Sequence, residues 1–102
     1  MTFQTTPAFD RDDKRLSKQH QATFRRLIPR FNAAAERAAA GEPSPWPNGM
    51  RVKPVKGAEG VWELPWSMDY PDGRATWEWA TIDGTQGIRW QRIGDHDVFA
   101  SP

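Results

Sequence analysis

The chain has 102 residues, 14 Lys and Arg against 13 Asp and Glu, six tryptophans and no cysteine. A chain of this length forms one domain, residues 1–102, and buries roughly two-thirds of its unfolded surface, enough for one modest core. Without cysteine, disulfides and thiolate metal sites are excluded, and no apolar run approaches the ~20 residues that cross a bilayer. The first ten residues, MTFQTTPAFD, lack the basic-then-apolar order of a secretory signal, so a cytoplasmic location is expected.

Thr2–Thr6 is short and β-prone, and reads as an edge strand. Thr6 before Pro7 is a helix start, with a hydroxyl cap followed by proline where its missing N–H does no harm. Ala8–Leu16 reads as a short helix with Phe9, Asp13 and Leu16 on one face. Ser17 can cap a second helix running to about Ala40. Its apolar positions, Phe24, Leu27, Ile28, Phe31, Ala35 and Ala38, recur at the spacing of an amphipathic helix. Pro29 lies inside this pattern and is expected to kink the helix or split it near Ile28. Gly41 is the expected stop.

Glu42–Met50, EPSPWPNGM, is a loop by composition, and its Trp46 is the one tryptophan expected outside the core, free to touch a partner. Arg51–Gly57, RVKPVKG, sets three cations close together, and Pro54 confines that segment to an edge or an irregular extended course. Val61–Trp66 alternates, with Trp62, Leu64 and Trp66 on one side and Glu63 on the other. Pro71-Asp72-Gly73 marks a turn. Arg74–Ala80 alternates again, with Ala75, Trp77 and Trp79 inward and Arg74, Thr76 and Glu78 outward. Asp83-Gly84 marks the next turn, and Ile88–Ile93 forms a last strand with Ile88 and Trp90 opposite Arg89 and Gln91. Gly94-Asp95 then breaks the strand just before His96, one of two histidines in the chain. The expected fold is α+β: two N-terminal helices packed on the tryptophan-rich face of a small antiparallel sheet, with Trp62, Trp66, Trp77, Trp79 and Trp90 in the core.

The other face of that sheet collects Glu63, Arg74, Thr76, Glu78, Arg89 and Gln91, bordered by Lys53, Lys56 and His96. The bland reading is a solvated face laced with weak cross-strand ion pairs, and a surface histidine in a polar turn. The functional reading is a phosphodiester site: cations hold the backbone and stabilise a pentacovalent transition state while a titratable group moves a proton. Metal-ligand spacing, a glycine-rich phosphate loop and GxSxG are absent, and a carboxylate pair of Glu63 and Glu78 has no supporting feature.

RVKPVKGAEGVWEL, DGRATWEW and IRWQRIGDHDVF together resemble the RelE/ParE superfamily of toxins from type II toxin–antitoxin systems, whose members carry "lKG…g.wElr", "yRv.y" and "iG.Hd..y". The resemblance is to RelE-like toxins of actinobacterial type and covers most of the chain. It implies a ribosome-dependent mRNA endonuclease that needs no metal or cofactor, inhibits translation, and is held inactive by a cognate antitoxin in a hetero-oligomer. The 2′-hydroxyl would attack the adjacent phosphate. Carried onto this chain, Arg74 takes the transition-state position and His96 the acid or charge-stabilising one. Lys53 and Lys56 supply a base or phosphate contacts. Phe99 stacks on a base, and Arg51, Arg89 and Arg92 complete the RNA contacts. Two departures stand out: Glu63 occupies a strand position where the best-known member has a catalytic lysine, and Phe99 lacks the hydroxyl some members use. A gyrase inhibitor of ParE type, or a catalytically degenerate member that only binds its antitoxin, is the competing expectation.

Overall fold

The computed structural model describes residues 1–67 and 72–94. Its elements are β1 (Phe3–Thr5), α1 (Pro7–Arg15), α2 (Lys18–Ala39), a 3-10 turn (Asn48–Met50), β2 (Lys53–Pro54), β3 (Trp62–Ser67), β4 (Gly73–Ile82) and β5 (Thr85–Gly94). They form one five-stranded sheet in the order β1-β5-β4-β3-β2, under two helices. All pairings are antiparallel except β1 with β5, which is parallel and joins the first strand to the last. The expected α+β fold is the one observed, and no helix among the described residues is long and apolar enough to cross a membrane.

The helix boundaries follow from local chemistry. The Thr6 hydroxyl accepts from the Phe9 amide at 3.0 Å, and Ser17 accepts from His20 at 3.1 Å, so each helix starts on a side-chain cap. At the far end Gly41 adopts φ 91°. Its amide reaches the Ala38 carbonyl while that of Glu42 reaches Arg37, closing α2 with a left-handed cap. Pro29 does not split α2, which runs as a single helix through it. The ring is exposed, so the carbonyl that loses its partner can be solvated while Phe24 and Phe31 hold both halves against the sheet. On α1 it is Asp12 that is buried beside Phe9, whereas the expected Asp13 is only half-buried.

The core is aromatic. Trp77 and Phe31 are fully buried, with ring centroids 5.2 Å apart and edge to face. Phe24 and Trp90 meet in the same way at 5.2 Å. Trp66, Trp77 and Trp90 are buried, and Trp62 and Trp79 pack half-buried against them. Trp46 departs from expectation. The proline-rich loop lays its ring on Phe31, stacked at 5.5 Å, and against Trp77 at 5.6 Å, so it extends the core instead of facing a partner. Asp83 and Gly84 take φ 52° and 78° between paired Ile82 and Thr85, the two left-handed residues of a tight hairpin turn. Of the Pro71-Asp72-Gly73 turn, Pro71 lies outside the described residues, and Gly73 opens β4.

Candidate functional site

Sheet register builds the site. Lys53 on β2 pairs with Glu63 on β3, Glu63 with Thr76 on β4, and Thr76 with Arg92 on β5. Cross-strand partners share a face, so these four side chains form one row across four strands, on the side opposite Ala75 and Trp77. Arg74 and Glu78 flank Thr76 two residues away on the same face, and Glu78 pairs with Arg89. Arg92 reaches the row through a register shift. Trp77 pairs with Trp90 but Thr76 with Arg92, so Gln91 is the extra residue of a bulge. Uninterrupted alternation puts Arg92 inward; the bulge at Gln91 returns it to the polar face opposite Thr76.

The middle of this face is not open. Thr76 is fully buried and Glu63 is 2 % exposed. They occupy inner strands, where short or tightly packed side chains have neighbours on both sides. Arg74 is likewise no solvent-facing residue, since only 16 % of its side chain is exposed. It donates to the Gly73 carbonyl at 3.1 Å and meets Asp72 at 3.4 Å. Its Nε, and the Thr76 hydroxyl, are buried without a hydrogen-bond partner among the described residues. Two unsatisfied polar atoms on adjacent outward positions of one strand mark a place where a ligand oxygen or water has something to gain.

The remaining cations divide in two. Lys53 Nζ lies 3.5 Å from Glu63, and with Lys56, Pro54 and Val55 these two line a pocket of about 410 Å³ at the β2 edge. Lys56 is exposed at the rim of that pocket. Arg51 is exposed and left-handed (φ 57°) just after the 3-10 turn, and does not line it. Arg89 and Arg92 are likewise engaged by carboxylates of the same chain. Arg89 donates to Glu78 at 2.6 Å and to Gln4 at 3.4 Å. Arg92 forms a two-point pair with Asp12 at 2.6 and 3.1 Å. The hydrogen bond to Asp12 raises the Arg92 pKa above its ordinary value, against an opposing effect of burial.

His96 and Phe99 lie outside the described residues, as does Asp97. The other histidine, His20, packs its ring on Trp66 at 5.3 Å and takes no place in the row. Among the described residues no cluster of His, Asp and Glu is arranged to hold a metal ion.

Chemically, the face offers an ammonium at Lys53, a guanidinium at Arg74, a buried carboxylate at Glu63 and a free hydroxyl at Thr76. Sequence reasoning placed Glu63 and Thr76 on this side and marked Glu63 as a departure from the resembled pattern, but did not foresee their burial, because alternation tells which face a residue occupies and not how deeply it sits. Asp12 was missed; its three-residue spacing from Phe9 was the available signal. Comparison with protein-family models, with curated proteins and with solved structures found no match in any of the three.

Proposed function

We propose that this chain is a RelE/ParE-like toxin that cleaves mRNA on the ribosome without a metal, in the cytoplasm, and is silenced by an antitoxin partner. The observation that carries the reading is the single sheet face on which Lys53, Arg74, Glu63 and Thr76 converge, with unsatisfied hydrogen-bonding atoms at Arg74 and Thr76. In this reading Arg74 stabilises charge growing on the scissile phosphate, Lys53 and Lys56 hold the flanking backbone, and His96 moves the proton. The three sequence motifs supply the resemblance, and the two-helix, antiparallel-sheet architecture is the one that resemblance implies.

A second reading has its own observation. Lys53, Arg89 and Arg92 are each neutralised by a carboxylate within the chain, which suits a binding protein such as a gyrase inhibitor better than a nuclease. The two are separated by inducing the protein alone in cells and following pulse labels. Methionine incorporation falling before thymidine incorporation is the expected result. Thymidine falling first, with an SOS response, overturns the nuclease reading in favour of the gyrase one.

A further inference from the structure

The near-zero net charge conceals a strong polarity. The first 40 residues, which make β1 and both helices, hold eight of the 14 cations and four of the 13 acids, a net of +4. The remainder carries −3. All eight helical cations are exposed. Arg25 is paired with Asp13 and Arg37 with Glu42, but Arg11, Lys14, Arg15, Lys18, Arg26 and Arg30 form no ion pair among the described residues. Arg11 and Arg15, and Arg26 and Arg30, stand one turn apart, about 6 Å along the axis, where like charges repel unless something external neutralises them.

We propose that the outer surface of α1 and α2 is a second nucleic-acid contact, binding the phosphate backbone of base-paired RNA. The charges identify the partner. Apolar surface is gathered in a recess at β1, where Phe3 meets Ile28 and Pro29 beside Arg25, while the outward positions Ala22 and Ala33 of α2 carry no large apolar side chain. Six of the eight cations are arginines, whose planar fork matches phosphate oxygens. A polyanion is the ligand that a surface with twice as many cations as acids selects. The choice of RNA over DNA rests on the phosphodiester reading of the sheet face; the surface itself does not depend on it.

The test is fluorescence anisotropy with the full chain and a labelled RNA hairpin, over a salt series. A DNA hairpin of the same sequence, an acidic peptide and anionic vesicles serve as competitors. Replacing Arg11, Arg15, Arg26 and Arg30 together by alanine is expected to weaken hairpin binding about 10- to 100-fold and to flatten the slope of log K against log salt by about 3. An unchanged slope in the fourfold variant, at wild-type melting temperature, overturns the proposal. So does tighter helix-dependent binding of DNA, the acidic peptide or vesicles than of the RNA hairpin. Should the fourfold variant fail to fold, Arg26→Ala/Arg30→Ala is measured instead, with a slope reduced by about 1.5 expected and no reduction overturning the proposal. Because the assay reads binding and not cleavage, a chain that binds the hairpin through its helices yet never cuts mRNA separates failure of the nuclease reading from failure of this one.

Discussion

One oxygen of Asp12, on α1, accepts both Nε of Arg92 at 2.6 Å and the backbone amide of Ile93 at 3.1 Å, while its second oxygen accepts Nη2 of Arg92 at 3.1 Å. The Ile93 amide lies on β5 beyond the reach of β1, whose pairing stops at Trp90. Thr6 continues the edge with its amide on the Trp90 carbonyl at 3.1 Å and its hydroxyl on that of Gln91 at 2.7 Å. Asp12 then takes the next free donor, so a helix side chain finishes what a strand began. Asp12→Ala takes this carboxylate from the guanidinium and strands the amide, and is expected to cost about 2–4 kcal/mol, between a charged hydrogen bond and a fully buried pair. Urea unfolding measures it; a loss below about 1 kcal/mol removes Asp12 from the list of structural anchors.

The same pair fixes a pH dependence. Arg92 has its pKa raised by Asp12, so its stabilisation is fully present below the unfolded-state value and disappears only as pH climbs through the folded one. Both lie in strong alkali. The difference in unfolding free energy between wild type and Arg92→Met is therefore expected to stay constant from about pH 6 to 10. A difference that shrinks within that window would mean that a group other than Arg92 controls it.

At the candidate site, Arg74→Ala is expected to slow single-turnover cleavage on the ribosome by about 10²–10³-fold, and His96→Ala by about 10²–10⁴-fold. Thermal melts must accompany the kinetics for Arg74, because its side chain is mostly buried. Full cleavage by both variants shifts the chemistry toward Lys53 and Glu63.

Trp77→Ala is the contrasting case. Trp77 is fully buried and touches Phe31, Trp46, Trp62 and Trp79, so its removal is expected to cost roughly 3–5 kcal/mol and to abolish activity through misfolding. Retention of wild-type stability would deny it the centre of the core.

Gly73→Ala tests the wall behind Arg74. A methyl there runs into the Trp66 indole, so the ring must move, at a cost of about 1–3 kcal/mol. Tryptophan fluorescence that stays unshifted, with no loss of stability, would show that the ring has room to spare.

The elements whose signals are local were legible in the sequence. Thr6-Pro7, Ser17 and Gly41 act through atoms within a turn of themselves, and each does what its chemistry suggests. What was not legible depends on tertiary packing. Trp46 sits in a segment with no periodicity, and only the assembled core reveals the slot it fills against Phe31. Pro29 is tolerated because packing on either side outweighs one missing hydrogen bond. The register of the site was readable only up to Trp90, since the bulge at Gln91 depends on pairing with β4. His96 and Phe99 lie outside the described residues, and of the other expected site residues the register puts Lys53 and Arg74 on one sheet face.

The parallel pairing of β1 with β5 sets a timetable for folding. Phe3 aligns with Ile88 and Thr5 with Trp90, so the earliest-made strand docks against the latest-made one. The β3–β4–β5 meander can zip from neighbour to neighbour, but β1 must wait until β5 has been made, and closing so long a loop slows the final step. On the ribosome, the two helices emerge first with Phe9, Phe24 and Phe31 uncovered, and stay so until the tryptophan strands follow. At elongation rates of about 5–20 residues per second that interval lasts several seconds, long enough for a chaperone, or a waiting partner, to meet the nascent chain.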